Sequence, residues 1–236
     1  MQKKVSFLFG VTLIALGLLA LAGNLIIRAT GNGFQLGFHA WPIFVVAAGL
    51  LFCIPPFLYR DTPGLSGLFI PGLPTLTTGF ILFFASLGGH WGIWARLWPL
   101  EVISVAAAFV LMTWFMKLPW LMIPASIVGF TGLALQFCAV TGLWSAWAAL
   151  WTVEPIAVGL PLLVIGIQKK IEGVRLAGII LTGIGVVAFA ALSTLLSFLN
   201  GVFGLIGPLV VLGLGVYLLL STLLKKKDGE EVPPAA

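Results

Sequence analysis

The chain alternates long apolar runs with short polar breaks. Eight runs approach or exceed the roughly 20 residues that a transmembrane helix needs. They cover Val5 to Ile27, Trp41 to Tyr59, Leu68 to Leu87, Trp98 to Met116, Pro119 to Ala139, Trp147 to Ile167, Val174 to Leu196, and Gly204 to Leu224. The breaks are too short to hold a domain outside the bilayer. The pattern predicts an all-α integral membrane protein with eight transmembrane helices in one polytopic domain, followed by a short tail, 225–236.

Composition narrows the class further. Of 236 residues, 61% are hydrophobic and 8% charged, against about half and roughly a quarter in a soluble domain. A chain of this size has too little interior to hide so much apolar surface. A soluble enzyme is excluded, and so is a disordered chain, which needs the opposite composition.

The few charges orient the spans. With the N-terminus in the cytoplasm, the inner segments hold Lys3, Lys4, Arg60, Lys117, Lys169, Lys170, Arg175, Lys225, Lys226 and Lys227, and the outer segments only Arg28 and Arg96. That bias predicts both termini inside, in a bacterial inner membrane. The net charge of +5 therefore reads as topology and attraction to anionic lipid. No basic stripe interleaves with exposed aromatics, so no nucleic-acid partner is expected. Lys3 and Lys4 ahead of Ala20-Leu21-Ala22 resemble a signal peptide, but the apolar run continues to Ile27.

Self-comparison predicts four tandem, parallel helical-hairpin repeats, at about 5–59, 68–116, 119–167 and 174–224. Each odd span carries a small residue and, seven positions later, a glycine: Gly10 and Gly17, Gly72 and Gly79, Ala125 and Gly132, Gly178 and Gly185. Successive copies are offset by 62, 53 and 53 residues. Seven residues is two helical turns, so both small residues share one packing face. Each even span opens at or near a proline, in Trp41-Pro42, Trp98-Pro99, Glu154-Pro155 and Gly207-Pro208. Proline suits the first helical turn. Seven residues beyond it stand Gly49, Ala106 and Gly215, while the third copy has Leu162 and breaks the pattern.

Trp91, Trp94 and Trp98 recur 53 residues later as Trp144, Trp147 and Trp151. Their spacing predicts a short helix in the outer interface before each return span, where tryptophan finds both an apolar bed and a polar partner. The same faces are candidates for docking a partner. Cys53, about 12 residues into its span and so roughly 18 Å deep, and Cys138, near an outer end, read as two small buried thiols.

The first hairpin reads FGVTLIALGLLALAGNLII, a short loop, then WPIFVVAAGLLF. It resembles the LiaI/LiaF-like transmembrane region of bacteria on Gly10, Gly17, Asn24, Trp41, Pro42 and Gly49. LWPLEVISVAAAF in the second hairpin is a partial match. A weaker likeness is to the HdeD-like membrane proteins. The LiaF-like resemblance implies a non-enzymatic envelope protein, often linked to envelope-stress signalling. Only Lys225 to Ala236 follow the last span, where that pattern has a soluble C-terminal domain.

Charge within a membrane points to function by default, and Glu101 and Glu154 are the candidates. Glu101 follows Pro99 in a first helical turn, where a carboxylate meets the positive end of the helix dipole. Glu154 sits just below the interface if its span starts at Trp151, and roughly 15 Å deep if it starts at Trp144. Pro155 and Pro161 follow it, and broken helices form ion sites in transporters, so Glu154, Pro155, Pro161 and Glu101 form the candidate proton or cation site. His39 and His90 lie in outer loops on different hairpins. They make no metal motif, though they can titrate and sense external acidity. Gly31-Asn32-Gly33 signals a turn. No Ser/His/Asp set, paired intramembrane Asp, HExxH or CxxC appears, so no catalytic residue, metal or cofactor is expected. The predicted function is a non-enzymatic envelope-stress regulator or accessory partner of other membrane proteins, with homo-oligomers open to it. The alternative is a small transporter or channel working through Glu154.

Overall fold

The computed structural model describes residues 41–200 continuously, with isolated positions at 10, 13, 14, 17, 18, 21, 24, 25, 28, 209, 212 and 213. The first and last predicted spans, His39 and the C-terminal tail lie outside that continuous part, as do Lys3 and Lys4. Among the described residues every regular element is a helix. These are α1 (Pro42–Leu58), α2 (Phe69–Gly88), α3 (Trp94–Leu97), α4 (Pro99–Met116), α5 (Met122–Thr141), α6 (Trp147–Leu150), α7 (Val153–Lys169) and α8 (Glu172–Asn200). Short 3-10 turns lead into α2, α3, α5 and α6.

Among the described residues four helical segments are long and apolar enough to cross a membrane, five if α6 and α7 count as one bent span. Helix α1 has 17 residues and falls just short. Less than a third of any crossing segment is buried within the protein. Large apolar side chains such as Phe84, Ile184 and Val187 stand more than half exposed. Unpaired apolar surface on this scale calls for lipid around it.

The principal helices pack mainly in chain order, and the packing alternates between tight and loose. The tight pairs are α1 with α2, α4 with α5, and α7 with α8; α2 with α4 and α5 with α7 are looser. Glycine produces the difference. A Cβ on Gly49 would meet the backbone of Leu76 at 2.6 Å, and one on Gly79 the backbone of Val46 at 2.7 Å. Gly72 approaches Cys53 and Phe52, Gly132 approaches Ile103, Gly178 approaches Leu163, and Gly185 approaches Ile156. Ala125 is also buried. The small-residue faces of these spans thus turn toward the preceding span rather than the next one. Gly10 and Gly17 fall in the sparsely described segment.

The exception at Leu162 disappears in three dimensions. Helix α7 begins at Val153, so Pro155 is not its opening residue. Counting 53 from Ala106 instead reaches Gly159, which is buried against Thr182 and Gly178 of α8. The small position is present, three residues before Leu162.

Turn geometry recurs at the same offset. Gly89 and Gly142 end α2 and α5 with φ of +62° and +76°. Lys117 and Lys170 end α4 and α7 with φ of 54° and 55°. A lysine there accepts a left-handed conformation that glycine adopts at no cost. It also sets a cation against the negative end of the helix dipole.

The antiparallel row sorts its charges. One end carries Arg60, Lys117, Lys169, Lys170 and Arg175, with Asp61 and Glu172. Phe57, Phe69 and Phe115 meet there with ring centroids 5.3 to 5.4 Å apart, joining α1, α2 and α4. The opposite end carries the paired tryptophan segments and Arg96, and the two candidate glutamates lie deeper, level with the middle of α2 and α5. Cys53 and Cys138 are free and buried.

Candidate functional site

Glu101 lies in the first turn of α4, which opens at Pro99 behind Trp98. Its side chain is half-buried and faces the loose junction with α2. There Thr78 Oγ1 donates to Glu101 Oε1 at 2.7 Å. Thr78 belongs to the middle of α2, so the bond ties two neighbouring spans together.

Glu154 repeats this arrangement 53 residues on. The chain bends by 45° between α6 and α7, and Glu154 follows in the first turn of α7. The helical start at Val153 places it just beyond the break, not in mid-helix. Thr131 Oγ1 lies 2.6 Å from Glu154 Oε1, linking α5 to α7. The same hydroxyl lies 2.8 Å from the carbonyl oxygen of Ile127. A hydroxyl has one hydrogen and donates to one acceptor at a time, so Thr131 is shared between its own helix and the carboxyl group.

The two pairs sit at the two loose junctions, where glycine contacts are few. A polar bond between membrane helices contributes about 0.6 kcal/mol on average and up to about 1.7. The glutamates also face the positive ends of their own helices, a favourable placement. Each carboxyl group thus has a protein partner, and the two occupy separate junctions. Among the described residues no cluster of three potential metal ligands occurs.

The remaining predicted residues disperse. Pro155 packs beside Gly185 of α8. Pro161 is buried about two turns further along α7 and lines a groove at the basic end instead. His90 is exposed and precedes the 3-10 turn at Trp91–Ile93. Each tryptophan segment forms a 3-10 turn followed by a one-turn helix, α3 or α6. Trp91 and Trp144 match closely, 47% and 49% exposed, and Trp151 is 52% exposed. Trp94, Trp98 and Trp147 are half-buried. Gln136 of α5 donates to the carbonyl of Arg96, holding α3 down. Ala146 and Ala149 press the segment around α6 onto Leu192 and Leu196 of α8.

Sequence reasoning missed Thr78 and Thr131. The signal was present: the glutamates are 53 residues apart, and each has a threonine 23 positions earlier. Hydroxyls in apolar runs attract no notice until a partner is brought beside them. No family model, curated protein or solved structure matches this chain.

Proposed function

We propose that this chain is an eight-span inner-membrane protein of four tandem hairpins, with both termini in the cytoplasm, acting as a non-enzymatic regulator or accessory partner of other membrane proteins. The likeness of its first hairpin to the LiaI/LiaF-like region favours an envelope role. The observation that carries the reading is the pairing of Glu101 with Thr78 and of Glu154 with Thr131. Carboxyl groups tied off at equivalent positions serve as staples between spans. The exposed Trp91 and Trp144 leave matching aromatic positions for a partner at the same end. Tryptophan is enriched where proteins dock.

Photo-crosslinking in native membranes tests this. A photoreactive residue at position 91 or 144 is expected to yield the same discrete protein adduct. One at position 114, at the basic end, should not. Adducts only to lipid at 91 and 144 would remove the accessory reading. The transporter alternative draws support from the 45° break beside Glu154. It requires water-soluble thiol reagents to reach cysteines placed around Glu154.

A further inference from the structure

The groove at the basic end belongs to neither the carboxylate pairs nor the tryptophan segments. The C-terminus of α4, the N-terminus of α5 and the C-terminal half of α7 enclose about 580 Å³. Ligand sites run from about 300 to 1,000 Å³ and are mostly apolar with a few placed polar groups. This groove has that character: its lining is mostly apolar, with the hydroxyls of Thr113 and Ser126 within it and the longer polar side chains at its mouth. Lys117 and Gln168 stand at the ends of α4 and α7. Met122, Leu160 and Val164 line the deeper part. Leu160 precedes Gln168 by eight residues, so the groove descends about 12 Å from its mouth along α7 at the usual helical rise.

Charge selects the occupant. Lys117 is the charged residue lining the groove, and no acidic side chain shares the lining. Lys169 and Lys170 follow Gln168 at the same end. The acid in the neighbouring turn, Glu172, lies 3.8 Å from Arg175. A cation with no ion pair among the described residues, at the lip of an apolar slot between membrane helices, matches a lipid with a negative headgroup and an apolar tail.

We propose that this groove binds one anionic phospholipid, its phosphodiester at Lys117 and Gln168 and an acyl chain along Met122, Leu160 and Val164. A lysine at a helix end also answers the helix dipole, a role that needs no lipid. Filling the groove without touching Lys117 separates the two roles. Leu160 and Val164 are 37% and 50% exposed, so larger side chains there leave the helix contacts intact.

The test is native mass spectrometry of the purified full chain, released from micelles containing equal phosphatidylglycerol and phosphatidylcholine of the same chain length. The expected result is preferential retention of phosphatidylglycerol. Lys117→Gln should reduce that retention about fivefold, the worth of one basic residue near an anionic surface, while phosphatidylcholine retention stays unchanged. Val164→Trp should reduce it with Lys117 in place. Inorganic phosphate should fail to displace the lipid, because a headgroup alone does not fill the slot. Equal retention of the two lipids would overturn the proposal. So would full retention by a folded Val164→Trp variant, or displacement by phosphate.

Discussion

Two identical substitutions, five residues apart on α8, should move stability in opposite directions. Gly178 is buried against α7. A Cβ there would lie 2.7 Å from Leu163 Cα and 2.9 Å from Gly159 O, and closer still to the Leu163 nitrogen. These are backbone atoms and cannot swing aside. Ordinary contact begins near 3.4 Å, so α7 must retreat by at least about 0.7 Å, and a gap of that size forfeits a quarter to a half of each dispersion contact it opens. Overpacking of this kind costs about 1–3 kcal/mol, offset by up to about 1 kcal/mol of helix propensity. Gly178→Ala should therefore destabilise by up to about 2 kcal/mol once the full propensity gain is subtracted. Gly183 has no described atom within 4 Å of its Cβ position. Gly183→Ala gains the propensity alone, up to about 1 kcal/mol. Unfolding in mixed micelles titrated with sodium dodecyl sulfate, followed by circular dichroism, should separate the two variants by the overpacking cost, about 1–3 kcal/mol, because the propensity gain is common to both. Equal midpoints, or a stabilised Gly178→Ala, would refute the tight α7–α8 interface.

The staples predict a coupling. Thr131→Val and Glu154→Ala, each of which removes the bond, measured singly and together in the same unfolding assay, should couple by about 0.6 to 1.7 kcal/mol. Strict additivity would deny the bond. Glu154→Gln alone should be tolerated, because an amide N–H can donate to Thr131 while Thr131 donates to Ile127. Reporter fusions after Tyr59, Lys117 and Lys170 should all register cytoplasmic, and fusions after Gly89 and Gly142 should register external. Any reversal would undo the charge-based orientation.

The spans that fall within residues 41–200 were legible because their signal is simple. Apolar length predicted α1, α2, α4, α5 and α8 to within a few residues. Hydropathy draws one span from Trp147 to Ile167, because tryptophan and alanine continue the apolar run straight through the 45° break that separates α6 from α7. Bending is a matter of backbone geometry, and hydropathy averages over it. Within residues 41–200 the glycine spacing marks one face of each odd span, yet a face does not name the helix that covers it.

Sequence alone determined the class, the charge-sorted ends, the 53-residue recurrence and the two glutamates as the acids to examine. Those properties are additive along a chain. The tertiary structure decided which spans pair tightly, that Gly159 rather than Leu162 holds the small position, and that Thr78 and Thr131 meet the glutamates. It also decided that Lys117 overhangs an apolar slot. Each of these depends on a distance between residues far apart in sequence, and such distances exist only once the helices have packed.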